Sequence, residues 1–270
     1  MANLIVIPAR YGSTRFPGKP LIEIAGRTML DRVTNVAARA AAQVGDTDFV
    51  VATDDERIVV HAEALGHKAV MTSTDIASGT DRALAVIDAL GITPDIVLNL
   101  QGDAPFTSVE TITILLKAAA AADAGVTTPV RRLTWAALDA LREHKKEEAF
   151  SGTTCVRAPD GRALWFSKNI LPALRKEARL REAGEMSPVL QHLGLYAYRV
   201  EALRHFAAAP PSFYEELEGL EQLRFLELGI PILAVDVPAP PVSNSGIDTP
   251  ADVALAERLL AQHGDPYQAL

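Results

Sequence analysis

The feature that most constrains this chain lies at its start, in Leu4 to Leu21, LIVIPARYGSTRFPGKPL. Leu4-Ile5-Val6-Ile7 is an unbroken apolar run rich in β-branched residues, which predicts a strand covered on both faces; a strand with one wet face would alternate. Pro8 ends the run. The loop beyond it holds Gly12, Gly18, Pro17 and Pro20 with three cations, Arg10, Arg15 and Lys19. No acid occurs from Met1 to Ile22, although the chain carries 34 acidic residues against 26 basic ones. Glycine lets backbone N–H groups approach an anion, arginine adds forked donors and lysine a compact charge. In α/β sheets ligands bind beyond the carboxyl ends of strands, so the loop reads as a polyphosphate site rather than a solvated basic turn.

Neither common phosphate loop is present. Gly18-Lys19 is followed by Pro20 instead of Ser or Thr, and GxGxxG is absent. The net charge of −8 argues against nonspecific nucleic-acid binding and against an anionic membrane surface. Cys155 is the one cysteine, which excludes an internal disulfide and agrees with a reducing compartment. MANLIVIPAR has no charged leader and only a short apolar run, so a cytoplasmic protein is expected.

Strand and helix patterns alternate through the first half. Thr28 caps a helix; 48–53 is a strand; 54–65 starts at acidic residues and stops at Gly66; 68–72 is a short strand; 80–90 is a helix; 96–100 is a buried strand. This order predicts an α/β fold with a mostly parallel sheet. Beyond it, 153–157 and 163–167 read as two strands joined at Pro159-Asp160-Gly161, 176–185 as a solvated, mobile segment, 192–199 as one strand, 215–228 as one helix, 232–237 as a strand, and 250–262 as a helix capped by Thr249. The 270 residues are read as a single domain, with a nucleotide-binding half (1–150), an acceptor and dimerisation half (151–240) and a closing loop and helix (241–270).

Four further clusters bear chemistry. Gln101-Gly102-Asp103 follows a predicted strand; a carboxylate there suits Mg²⁺, though the triplet alone would pass for a turn. Ser245-Gly246-Ile247-Asp248-Thr249-Pro250 is a helix start in which Asp248 would favour the dipole. Ser78-Gly79-Thr80-Asp81-Arg82 offers hydroxyls, N–H groups and a cation, and also serves as a helix cap through Thr80. His192, Tyr196, Glu221 and Gln222 would, taken singly, be ordinary core or helix-face residues. The remaining histidines show no metal-ligand spacing.

PARYGSTRFPGKPL resembles the signature of sugar-activating cytidylyltransferases. Together with SGTDR, QGD, HLGLYAY, LEQLR and GIDTP it makes nearly the whole chain similar to the 3-deoxy-manno-octulosonate (Kdo) cytidylyltransferase family. The resemblance implies a three-layer nucleotidyltransferase fold, Rossmann-like and of the GT-A type, with a mostly parallel mixed sheet and a small strand-rich dimerisation subregion. It implies that Pro8, Ala9, Arg10, Gly12, Ser13, Arg15 and Lys19 wrap the triphosphate of CTP, with Ser78, Gly79, Arg82 and Gln101 beside the nucleotide. Asp103 and Asp248 become Mg²⁺ ligands, and His192, Tyr196, Glu221 and Gln222 line the sugar pocket. The implied reaction, carried by Arg10, Lys19, Asp103 and Asp248, is Mg²⁺-dependent transfer of CMP to the anomeric hydroxyl of Kdo, releasing pyrophosphate and CMP-Kdo for lipopolysaccharide synthesis. A cytoplasmic homodimer is implied too.

The chain departs from the family pattern at Ile76, where His is usual, at Ala104, where Glu is usual, and at Lys168-Asn169, where Arg is usual before the next residue. Lysine keeps the charge and loses the bidentate fork. Cytidylyltransferases acting on 8-amino-Kdo or sialic acid therefore stay open as readings, as does a nucleotide sensor on the same scaffold.

Overall fold

A computed structural model describes residues 2–12, 16–76, 78–239 and 246–268. The apolar run forms β1 (Asn3–Pro8), buried on both faces. Ile5 and Ile7 pack with one helical layer, while Leu4 and Val6 pack with the other, so the alternation of the strand divides the core into two sheets of side chains. A short hairpin, β2 (Glu23–Ile24) and β3 (Arg27–Thr28), leads to α1 (Met29–Val44), whose Asp31 N–H donates to Thr28 Oγ1. β4 (Thr47–Thr53), α2 (Glu56–Ala64), β5 (Ala69–Met71), α3 (Gly79–Leu90) and β6 (Ile96–Asn99) follow in the expected order. Ser78, not Thr80, caps α3, through the Asp81 N–H at 3.0 Å.

The chain then builds α4 (Val109–Ala121), β7 (Val126–Thr134), α5 (Trp135–Glu147), the hairpin β8 (Thr153–Arg157) and β9 (Ala163–Ser167), α6 (Glu177–Glu182), β10 (Met186–His192) and β11 (Tyr196–Arg199). It closes with α7 (Val200–Ala208), α8 (Phe213–Glu218), α9 (Gln222–Glu227), β12 (Ile232–Asp236) and α10 (Pro250–His263). Ten strands form one sheet in the order β5-β4-β1-β6-β11-β7-β10-β8-β9, with β12 on β7. The expected parallel pairing holds from β5 to β6; beyond β6 the neighbours run antiparallel, except for β12, which is parallel to β7. The sheet is thus mixed, with helices on both faces.

Three expected segments differ from the structure. Residues 192–199 are two strands: His192 ends β10, and the chain turns through Leu193-Gly194-Leu195 before β11. Residues 215–228 are two short helices, broken at Gly219, whose φ of 61° lies in the left-handed region that glycine tolerates. Residues 177–182 are helical. No α6 side chain is buried; Glu177 instead takes two bonds from Arg142 at 2.8 and 2.7 Å, and Arg181 reaches Glu177 and Asp139. Ion pairing replaces the apolar face that the sequence lacks there.

Candidate functional site

The basic loop returns on itself. Gly18, at φ 72°, donates its N–H to the Tyr11 carbonyl at 3.0 Å and opens a 3₁₀ turn at Lys19–Leu21. Pro8 and Ala9 sit at its root, where Ala9 N–H donates to Ala52 O of β4. Gly12 has open space around it. Ser13 and Arg15 lie outside the described residues. Arg10, largely exposed, donates Nε–H to Asp54 at 3.2 Å, at the carboxyl end of β4.

Lys19 joins the two distant aspartates. Its ammonium lies 2.8 Å from Asp103 Oδ2 and 3.0 Å from Asp248 Oδ1. Burial opposes the charge on Lys19, but the two carboxylates outweigh it and raise the pKa above its ordinary value. Asp103 is delivered by a close approach of two backbones. A Cβ on Gly102 would fall closer than 3.0 Å to the Pro8 carbonyl oxygen, so only glycine lets the loop after β6 lie against the end of β1. Asp248 is held from the other side: Ile247 N–H donates to Asp103 O at 3.0 Å, and Asp252, in a capping box with Thr249, accepts the Asp248 N–H at 3.0 Å.

Gly79, at the start of α3, lies against Pro8 and Asn99. Ser78 is occupied with Asp81. Arg82 is placed beneath the loop, not in the cleft: it is 1% exposed and bonds Thr72, the Ile76 carbonyl and Asp54. Burial pulls its pKa below the ordinary value despite Asp54. Asp54 therefore ties Arg10 to Arg82. The sequence places it at a helix start, and nothing local reveals its two distant partners.

A cleft of about 560 Å³ opens beside Asp103. Gly79, Gln101, Asp103, His192, Tyr196, Glu221 and Gln222 all line it, so four separate segments bring these residues to one place. Thr80 Oγ–H donates to Glu221 at 2.8 Å; desolvation holds the Glu221 carboxyl above the usual carboxylate range. Tyr196 OH donates to Gln222 Oε1 at 3.0 Å, and Gln222 Nε2 is buried without an acceptor among the described residues. Thr128 gives its hydroxyl proton to Leu195 O at 2.8 Å and so accepts from His192 Nε2–H at 2.9 Å, leaving Nδ1 as the acceptor of the ring. Burial, with Lys168 nearby, pushes His192 down to about 3, so the imidazole is neutral.

Of the residues at unusual positions, Ala104 lines the cleft. Lys168 has its N–H on Glu218 and its carbonyl on Lys145, and the Asn169 carbonyl accepts Thr154 Oγ–H. Thr80, part of the expected hydroxyl cluster, lines the cleft as well, and so does Arg131, which was not foreseen. Had 126–134 been read as a strand, alternation would have separated Arg131 from the exposed Arg132. Cys155 is buried in β8, and desolvation pushes its thiol up to about 12, which makes it inert.

Two carboxylates converging on one small cation are a donor set of the kind Mg²⁺ takes when water and phosphate complete its shell. Among the described residues no group of three or more Asp, Glu, His or Cys forms a self-sufficient metal site. No helix among them is long and apolar enough to cross a membrane.

Residues 4–232 match the family model described as cytidylyltransferase. The 3-deoxy-manno-octulosonate cytidylyltransferase of Maricaulis maris is 42% identical over 98% of this chain and 99% of its own length. That of Bdellovibrio bacteriovorus is 38% identical over 96% and 98%. The solved structure of a CMP:2-keto-3-deoxy-manno-octonic acid synthetase complexed with CTP superposes with a TM-score of 0.81 at 36% identity, covering 97% of this chain and 99% of that one. A 4-diphosphocytidyl-2C-methyl-D-erythritol synthase from Anaerococcus prevotii, 13% identical with a TM-score of 0.57, shares the fold.

Proposed function

The chain belongs to the 3-deoxy-manno-octulosonate cytidylyltransferase family and is a nucleotidyltransferase, and from that premise we propose that it transfers CMP from CTP to the anomeric hydroxyl of Kdo. Pyrophosphate leaves, and CMP-Kdo is the product. The observation that carries this reading is the meeting of Lys19, Asp103 and Asp248 at the mouth of a cleft lined by His192, Tyr196, Glu221 and Gln222.

The work of the protein is positioning and charge compensation. Arg10, Lys19 and the backbone around Pro8, Ala9 and Gly12 hold the triphosphate, with Ser13 and Arg15 assigned to the same loop. Ser78 and Gly79 border the nucleotide, and Arg82 holds their loop from below. Gln101, which lines the cleft, stands with them at the nucleotide. Neutral His192 offers an acceptor nitrogen to a sugar hydroxyl, Gln222 a free N–H, and Glu221 a second acceptor, so the sugar is turned with its anomeric hydroxyl toward the α-phosphate. Asp103 and Asp248 would hold Mg²⁺, which, when bound, neutralises phosphate charge and acidifies the attacking hydroxyl. Lys19, whose ammonium reaches both carboxylates, would serve the phosphates from the same place. The enzyme is assigned to the cytoplasm as a homodimer, with the strands of the second half as the contact surface.

The test is release of pyrophosphate from CTP with Mg²⁺ across Kdo, 8-amino-Kdo and sialic acid. Kdo is expected to give the highest kcat/KM. Asp103→Asn and Asp248→Asn are each expected to lower kcat by about 10²-fold or more. Full activity in either variant removes the metal assignment, and no turnover with any acid sugar removes the reaction.

A further inference from the structure

The cleft beside Asp103 also holds a cation that the mechanism above leaves unused. Arg131 stands two residues beyond Pro129 on β7, and both line the cleft, as the two-residue period of a strand requires. It lies opposite Gln191 of β10, which also lines the cleft, and donates Nε–H to Gln191 Oε1 at 2.9 Å. Among the described residues its side chain has no other hydrogen bond and no ion pair. Arg32, Arg82 and Arg224, also taken from water, meet Asp265, Asp54 and Glu215 respectively. Arg131 meets none, and burial lowers its pKa with no carboxylate working against it.

A guanidinium drawn partly from water with its paired Nη donors unspent is costly unless an anion completes it. Two carboxylates share its cleft, Asp103 and Glu221, and both are engaged, by Lys19 and by Thr80. No described residue of the basic loop lines this cleft, which sets Arg131 apart from the cations assigned to the triphosphate. Lys168 is not among the lining residues either. We propose that Arg131 is a specificity-determining residue that binds the carboxylate of the acceptor sugar acid, the paired donors of its fork facing both carboxylate oxygens. The inference rests on the reading of this cleft as the acceptor site. It gives the enzyme a physical basis for rejecting neutral ketoses, because a cleft that desolvates an unpaired cation binds an uncharged analogue poorly.

The test compares wild type, Arg131→Met and Arg131→Lys. It measures KM for Kdo, kcat, the dissociation constant of Mg-CTP by calorimetry, and the ratio of kcat/KM for Kdo over its carboxamide. Arg131→Met is expected to raise KM for Kdo by about 10²-fold and to bring the acid-to-amide ratio toward unity, with CTP affinity unchanged within about twofold. Arg131→Lys keeps the charge without the fork and is expected to raise KM by about tenfold. Should Arg131→Met not fold, the lysine variant decides alone. A KM for Kdo within about threefold of wild type in the folded variants, or an equal loss of CTP affinity, overturns the assignment of Arg131 while leaving the reaction intact. Wild-type protein that turns over no sugar acid overturns both.

Discussion

Gly102→Ala isolates the contact that sets Asp103 in place. Gly102 is not among the positive-φ residues, so alanine suffers no backbone strain there and the effect is steric. The added methyl group would overlap the Pro8 carbonyl oxygen and stand 3.3 Å from its carbon and 3.5 Å from Ala9 Cα. All three obstacles are backbone, which cannot rotate aside. Restoring ordinary contact requires the two loops to part by roughly 1 Å, at a cost of about 1–3 kcal/mol by the measure of overpacked cores. The parting moves Asp103 from the loop that carries Lys19. A misplacement near 1 Å costs about 10²-fold in rate. The assay is steady-state pyrophosphate release with thermal melting in parallel. A drop in kcat of about 10²-fold with a melting point lowered by only a few degrees is expected. Gly184→Ala is the control: it lies outside the site and the positive-φ residues, its new methyl meets nothing within 4 Å, and it is expected to be far milder. Full activity in Gly102→Ala, or equal damage in both variants, refutes the argument.

The two remaining predictions concern pH. His192 falls from 6.5 to about 3 through burial, so below 6.5 the unfolded chain binds a proton that the folded chain refuses, and stability declines as pH falls from 6.5 toward 3. His192→Gln is expected to flatten that decline by a few kcal/mol, read from urea midpoints at pH 7 and 4.5, and an unchanged slope contradicts the neutral assignment. Glu177 is depressed from 4.5 to about 2, chiefly by hydrogen bonds from Arg142 and Arg181. Its contribution is therefore complete above 4.5 and lost as pH falls through about 2, and hydrogen-exchange protection of 177–182 is expected to persist at pH 4 in wild type and to vanish in Glu177→Gln.

The first half of the fold was legible because its signals are local. The β1 run, the Thr28 cap and Gly91, whose left-handed φ of 62° stops α3, each act within a few residues. β7 was hidden by Pro129, which argues against a central strand. The structure shows why it is tolerated. Thr127 is the last β7 residue paired with β11 and Val130 the first paired with β10, while the Pro129 carbonyl accepts the Leu193 N–H between them. The missing N–H faces the gap between two neighbours, so no ladder bond is lost. The break at Gly219 was hidden by the leucine spacing of Leu217, Leu220 and Leu223, which imitates one continuous helix. Reading that glycine as a stop would have placed Glu221 at a helix start, where the structure has it. The pairing of Arg10 and Arg82 on Asp54 had no local signal at all.

The change of strand direction explains why nucleotide and acceptor candidates meet. β6 runs parallel to β1, so the loops carrying Lys19 and Asp103 leave the same edge of the sheet. β11 runs antiparallel to β6, with Tyr196 opposite Asn99, so β11 begins where β6 ends and Tyr196 stands two strand neighbours from the basic loop. β7 is antiparallel to β11 and therefore runs with β6, which carries Arg131 toward that edge. β10, antiparallel to β7, ends at His192 opposite Val130. An all-parallel sheet would have placed both strand starts at the amino edge, whereas here β11 starts at the carboxyl end of β6, and the end of β10 and the start of β11 flank a single turn, Leu193 to Leu195. That turn lines the cleft throughout, so an insertion in it separates His192 from Tyr196 without touching the nucleotide loop. On the proposed reading of the cleft, acceptor choice would thus vary independently of the triphosphate site.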